Sequence, residues 1–367
     1  MAHFSALHTA DEMMIALSRL LLSERRDDVQ FAATTAALSN ISFEDFGNFV
    51  ALANTNHVIV RGLEVFRKLM LAAQDFTRTA WAENAIAIER DRIGKAIGFL
   101  QVICETFREE RLDVTVMKSL DHWPDLGSDL DLYTNSDPEA VCAMMQKRFG
   151  AQIAARSWGD RLAGKWNFNV PGLSEPVEIH MQRLGQTGEQ LVLASKLPSR
   201  SRVIEIEGLS FRVPSASDRI MISTLQRMYR HFYFRLCDIV DSSSLIASGA
   251  LDFDDLRYAA QAAGIWEGVA TYLVIVSDYV RRYRGADLDL PKFVTATARF
   301  GGDLVYFGRD FLRVPIMPQS AALYRTQLAG LLRKRELNSS ARLGLLPWLA
   351  TAAAVGQKIT GSDKGIW

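Results

Sequence analysis

Residues 114–134, "VTVMKSLDHWPDLGSDLDLYT", carry two carboxylates, Asp129 and Asp131, two positions apart in an apolar run and directly behind Gly127 and Ser128. In a β-strand successive side chains alternate between faces, so Leu130 and Leu132 point one way while Asp129 and Asp131 project together the other way. Like charges this close repel unless a cation sits between them. Hard divalent ions suit such a pair, because Mg²⁺ takes one or two protein carboxylates and completes its shell with water and substrate phosphates. An isolated D-x-D is also what the exposed face of an edge strand looks like, so its surroundings must choose between the two.

Those surroundings are chemically rich. Lys118 and Ser119 end the short apolar run "VTVM", about ten residues of turn follow, and downstream "VEIH" offers a third acid, Glu178, with His180 two positions on. Val177 and Ile179 alternate with Glu178 and His180 as the leucines do with the aspartates. This places Glu178 in one cleft with Asp129 and Asp131, on a strand next to or near theirs, with His180 at its rim. For His180 two roles are open, a hydrogen-bonding orienter of Glu178 or a packed core histidine. Arg227, His231 and Arg235 follow helical spacing and read either as a basic face toward phosphate or, with Asp238 and Asp241 close by, as a salt-bridged surface. Trp158, Trp166 and Phe168 flank Arg161 and Lys165, an interleaving that can stack and neutralise a nucleotide or RNA, although Trp166 and Phe168 share a strand face and fit core packing.

The elements that must position these groups fall into three stretches. Residues 1–110 read at helical period: "SFEDFGNFVALANTNHVIVRGLEVFRKLML" opens on Ser42 with Asp45 three residues on, a capping-box-like start. In the last helix of this stretch Ile86, Ile93, Ile97, Leu100, Cys104 and Phe107 form one apolar stripe. Residues 111–215 then show strand patterns at 113–117, 128–134, 152–158, 165–170, 176–182 and 202–213, interrupted by one helix at 137–149. Residues 216–367 return to helices. The fold class is α+β, a mixed sheet flanked by helical regions at both ends.

Composition narrows the function classes. Lys plus Arg and Asp plus Glu are equal at 42 each over 367 residues, so no global field recruits nucleic acid or an anionic membrane. Three cysteines, Cys104, Cys142 and Cys237, lie in apolar patterns without C-x-x-C spacing, which argues against a disulfide framework or a zinc site and for a reducing cytoplasm. The start "MAHFSALHTADEMM" has no basic-then-apolar signal pattern. The uncharged run 343–355, "LGLLPWLATAAAV", falls short of the roughly 20 residues that span a bilayer and reads as core or interface, against a surface membrane anchor. No Walker A, G-x-G-x-x-G or G-x-S-x-G pattern stands at a strand-helix junction.

In order and spacing, "MKSLD", "SDLDLY" and "VEIHMQ" resemble the nucleotidyltransferase superfamily, and within it the broad bacterial family of uncharacterised nucleotidyltransferase-like proteins with KG, DxDL and EIH motifs. The likeness covers about residues 80 to 280, including the long helix before the first strand. It implies a nucleotidyltransferase-like core that moves NMP from an NTP to a hydroxyl acceptor with Mg²⁺ or Mn²⁺. By this resemblance Asp129, Asp131 and Glu178 are the metal-binding and catalytic carboxylates, Lys118, Ser119, Gly127 and Ser128 bind the nucleotide, and His180 stands behind them. Lys118 either neutralises phosphate or pairs with a sheet acid. Ser119 replaces the family's glycine, which places a side chain where a triphosphate would approach backbone amides. The acceptor, whether small molecule, RNA or protein, and the oligomeric state are set by loops and surfaces that no motif encodes. Two other classes share the features: a nucleotide- or partner-binding pseudoenzyme, and a D-x-D glycosyltransferase, which would need a βαβ nucleotide-sugar domain ahead of the D-x-D.

Overall fold

Helices α1 (Ala10–Leu22), α2 (Val29–Leu38), α3 (Phe43–Thr55), α4 (Ile59–Ala72) and α5 (Phe76–Glu109) precede the first strand in the computed structural model, which describes residues 7–23, 29–349 and 352. Their starts follow local chemistry. Thr9 forms a capping box with Glu12, and the Ser42 hydroxyl accepts from the Asp45 amide at 3.0 Å. The run that reads as one helical stretch from 42 to 71 is two helices, because the chain breaks at Asn56 and His57 takes a φ of 53°. Asn56 forces the break. Its side chain donates to Asp310 O (3.0 Å) and accepts from the Leu236 amide (3.0 Å), tying the end of α3 to segments far along the chain. The stripe of α5 is buried at all six positions and α5 packs along α4.

Strands β1 (Thr115–Val116), β2 (Leu130–Thr134), β3 (Gln152–Ile153), β4 (Lys165–Asn169) and β5 (Val177–Met181) form one mixed sheet in the order β1-β2-β5-β4-β3. Only β2 and β5 run parallel. Helix α6 (Pro138–Phe149), capped by Asp137 and ended by Gly150 at φ 60°, makes the crossover after β2. Three expectations change here. Trp158 does not close a strand but opens helix α7 (Trp158–Ala163), where Ser157 and Asp160 make a capping box. Helix α8 (Leu191–Arg200) was not foreseen, since Pro198 lies inside it. Strands β6 (Arg202–Ile206) and β7 (Leu209–Val213) form a separate hairpin that packs by β1 and α5 instead of joining the main sheet.

The remaining chain forms α9 (Ala216–Gln226), a π-turn at Arg227–His231, β8 (Tyr233–Phe234), α10 (Leu236–Ala247), α11 (Phe253–Ala263), α12 (Trp266–Arg284), α13 (Lys292–Thr295), β9 (Tyr306–Gly308), β10 (Phe311–Arg313), α14 (Ala321–Arg333) and α15 (Leu337–Gly344). The small sheet β8-β10-β9 corrects the reading of this region as wholly helical. Phe232 ends the π-turn in the left-handed region, at φ 55°, and releases the chain into β8. α1 packs on α12, with Ser18 Oγ 2.7 Å from the Tyr279 hydroxyl, so both ends of the chain share one core with the sheet. The apolar run at 343 divides: Leu343 is buried and Leu346 and Pro347 line a cavity, whereas Trp348 is 76% exposed, and most residues from 350 onward lie outside the described residues. Among the described residues no helix is long and apolar enough to cross a membrane.

Candidate functional site

Register does the first work. On the parallel pair β2 and β5, Asp131 stands opposite Glu178 and Tyr133 opposite His180, while Leu130, Leu132, Val177 and Ile179 fill the other face. Asp131, Glu178 and His180 each offer a ligand atom, and these lie within 4.8 Å of one another. Asp129 falls just before β2, outside the alternation expected of it, and still lines the same cleft as Asp131 and Glu178.

Asp131 and Glu178 are buried, so opposite charge must come with them. Lys118 supplies part of it. The Ser119 amide donates to Met117 O across a γ-turn in which Lys118 takes φ 54° and ψ −53°, a conformation rare outside glycine. The turn brings the Lys118 ammonium onto Asp131 and to 3.8 Å from Glu178 Oε1. Of the two readings of Lys118, the ion pair with a sheet acid is the one observed. Lys165, on β4 opposite His180, places its Nζ 2.5 Å from Glu178 Oε2. His180 Nε2 lies 2.8 Å from Glu178 Oε1, the orienting geometry, but the ring is buried behind Glu178 and not at the cleft rim.

These contacts set the charge states. Burial, reinforced by Asp129 and Glu178, pushes the Asp131 carboxyl well above its ordinary value against the pull of Lys118. Glu178 is held well below the usual range: burial opposes this, but the Lys118 charge, the His180 hydrogen bond and Lys165 outweigh it. Lys118 is half-buried, yet Asp131, Glu178 and Asp129 raise its pKa. Burial lowers that of His180, so a neutral ring donates from Nε2 and leaves Nδ1 without a partner.

Ser119 lines the cleft, and its hydroxyl is engaged with the backbone of the acid strand. Its hydroxyl accepts from the Asp131 amide at 2.7 Å, so the serine fastens the loop to β2. The rest of the loop is held by three arginines. Arg61 Nε meets Asp125 at 2.7 Å, Arg92 donates to Leu126 O and Gly127 O at 3.2 and 3.3 Å, and Arg219 Nε pairs with Asp121 at 2.6 Å. Asp125, wholly buried, also accepts from the Val60 amide at 2.6 Å and so caps α4 from outside.

Across a cleft of about 200 Å³ from the acids stand Arg227, Arg230, His231, Tyr233 and Arg235. They do not lie along one helix. The π-turn and β8 bring Arg227, His231 and Arg235 to the same wall by another route. Arg227 Nε pairs with Asp238 at 2.7 Å, whereas Asp241 serves Arg61 and His122 instead. Burial, with Arg230, Arg227 and Arg235 adding to it, keeps His231 neutral. Beyond Arg230 and His231 opens a larger apolar cavity of about 680 Å³ lined by Tyr229, Phe232, Ile316, Met317 and Tyr324.

Sequence reasoning missed His57, His122, Arg230 and Tyr233 in the cleft wall and gave Lys165 no place there; the core packing it favoured for Trp166 and Phe168 holds, with Phe168 in the core and Trp166 against it, while Trp158 is 66% exposed. Alternation on β4 could have found Lys165, which falls out of phase with Trp166 and Phe168. Nothing local marks His57 or His122. Comparison of the chain with protein-family models, with curated proteins and with solved structures returned no match.

Proposed function

We propose that the chain is a Mg²⁺- or Mn²⁺-dependent nucleotidyltransferase, built on a nucleotidyltransferase-like core of β1–β5, that moves a nucleoside monophosphate from an NTP to a hydroxyl acceptor. The observation that carries this reading is the pairing of Asp131 with Glu178 in register on parallel strands, with Asp129 beside them and Arg230 and Arg235 across the same cleft. A donor set of carboxylate oxygens suits a hard divalent cation. The Lys118 ammonium between Asp131 and Glu178 stands where positive charge is already required. A bound divalent ion would neutralise the triphosphate and polarise the α-phosphate. Asp129, Asp131 and Glu178 would hold it, and Lys118, released from Asp131, would turn to the phosphates. Arg230 and Arg235 would take the β- and γ-phosphates, with Ser128 and the amides around Gly127 as neutral donors. His180 keeps Glu178 aimed, and Ser119 acts through the β2 backbone.

The acceptor oxygen would attack the α-phosphorus, pyrophosphate would leave, and a cleft carboxylate, Glu178 in this reading, would take the acceptor proton. The adjoining apolar cavity favours a small-molecule acceptor with an apolar body over RNA. Three buried free thiols and the use of NTP suit the cytoplasm. A glycosyltransferase fits less well, since only helices precede β1 among the described residues.

The test is incubation with each α-labelled NTP, Mg²⁺ or Mn²⁺ and a metabolite extract, followed by mass spectrometry for a nucleotide-mass adduct, with Asp131→Asn as control. An adduct that needs metal and Asp131 supports transfer. The grip of Lys118 on Asp131 favours one second reading, a pseudoenzyme in which the ammonium permanently replaces the metal. NTP binding undiminished by chelator, with no adduct from any NTP, would establish that one instead.

A further inference from the structure

Against Gly127, which also touches the Asp129 carboxylate, a second cluster assembles from three distant segments. His57 comes from the break between α3 and α4, His122 from the 3₁₀ turn after β1, and Cys237 from the first turn of α10. We propose that His57, His122 and Cys237 form a separate cation site for a borderline-soft transition metal, Zn²⁺ above all, that clamps the 119–129 loop to α10 and keeps one coordination position open to the cleft.

Four observations carry this. First, one ligand atom from each of the three residues lies within 4.8 Å of the others. Second, His122 Nε2 and Cys237 Sγ are 3.8 Å apart. Two tetrahedral zinc ligands at about 2.0–2.1 Å for nitrogen and 2.3 Å for sulfur are separated by roughly 3.6 Å, so closure needs almost no movement. Third, the other nitrogen of His122, Nδ1, lies 2.5 Å from Asp241 Oδ2, and Asp241 is itself held by Arg61 at 2.6 Å. A metal-bound histidine commonly gives its second N–H to such a carboxylate, which sets the tautomer and aims the free nitrogen. Fourth, His57 is only 7% exposed and its Nδ1 has no hydrogen-bond partner, an expense for a buried polar atom that a ligand would remove.

The donor chemistry separates this cluster from the acids. Two imidazoles and a thiolate prefer zinc or cobalt, whereas carboxylates prefer Mg²⁺ or Mn²⁺. His57 and His122 both line the cleft, giving the ion an entry path and an open fourth position. The absence of C-x-x-C spacing argued against zinc only for sites built from one local segment. Here the ligands span 180 residues and tertiary packing brings them together.

The experiment titrates Co²⁺ into the full-length chain after chelator treatment and dialysis. The expected result is one equivalent that gives visible bands of tetrahedral intensity and a near-ultraviolet thiolate charge-transfer band, both displaced by Zn²⁺; Co²⁺ on the carboxylates adds no charge-transfer band. Cys237→Ser removes the charge-transfer band, while serine at Cys104 or Cys142 leaves it. Asp241→Asn, a positioning change, weakens Co²⁺ by about 10- to 100-fold. His57→Ala, which should fold even if the Cys237 variant does not, weakens it likewise. Asp131→Asn leaves the spectrum unchanged, so the outcome is separable from that of the transfer reaction. A folded wild-type chain with no charge-transfer band, or a band that persists in a folded Cys237→Ser chain, overturns the proposal and leaves a hydrogen-bonded His122–Asp241 pair beside a thiol.

Discussion

The acid cluster at Asp131 and Glu178 and the His57–His122–Cys237 cluster flank the same loop but are built by opposite means. The first rests on two paired strands whose register brings the carboxylates side by side. The second hangs on a helix break, a 3₁₀ turn and a helix start. Burying an ionised carboxylate costs several kcal/mol, so the first cluster depends on the half-buried Lys118 and Lys165 that pair with it. The second cluster is mixed: burial keeps His57 neutral and its Nδ1 unsatisfied, whereas His122, against its own burial, has its pKa raised well above the ordinary value by Cys237 and Asp241. The contrast teaches that strand register sets like charges side by side and so demands cations there, whereas the second set shows itself through convergence of distant segments, a carboxylate behind His122 and the unmet hydrogen bond of His57.

The largest effect should come from the loop that both clusters share. Asp125→Ala strips partners from Arg61 and from the start of α4, and should cost about 3 kcal/mol, the scale for breaking a buried ion pair. Urea denaturation measures that loss, and Mn²⁺ and Co²⁺ binding should weaken together. If only one weakens, the loop does not couple them.

Next, Asp131→Asn should lower nucleotide transfer by roughly 10²- to 10³-fold, as removal of one electrostatic contact to a reacting centre does. Circular dichroism and the Co²⁺ spectrum should be unchanged. Loss of the cobalt bands would merge the two clusters into one.

Arg235→Ala removes one of the phosphate contacts proposed for the opposite wall. Hydrogen bonds to charged groups are worth about 1.5–3 kcal/mol, so NTP affinity should fall by roughly ten- to a hundredfold in calorimetry, while Mn²⁺ binding without nucleotide stays the same. A matching loss of Mn²⁺ affinity would place Arg235 with the acids.

The smallest effect is a slope with pH. The raised pKa of Asp131 means that the folded chain holds this proton more tightly than the unfolded chain does. Its contribution to stability is therefore fully present below the unfolded value, about 3.9, and declines as pH rises through the folded value. Metal affinity must run the other way, rising with pH across the same window because the proton competes with the ion. Mn²⁺ titrations by paramagnetic resonance and denaturation midpoints over a pH series should show opposite slopes, and Asp131→Asn should remove both.

How much of this was legible follows from the range of the signal. The α5 stripe, the cap at Ser42, and the alternation of "LDLYT" and "VEIHM" are patterns inside one element, set by local backbone geometry. From these the α+β class and the meeting of Asp131 with Glu178 could be argued without coordinates. The break at His57, the γ-turn at Lys118 and the β8-β10-β9 sheet could not, since each depends on partners far along the chain: Asn56 on Asp310 and Leu236, Lys118 on Asp131 and Glu178, β8 on β10. The sequence by itself determined which faces are apolar and which acids share a strand, because side-chain alternation is a property of the backbone. Only the tertiary structure decided which cations those acids keep, that Ser119 binds β2, and that two histidines and a cysteine 180 residues apart converge, because long-range packing chooses among contacts that local periodicity leaves equal.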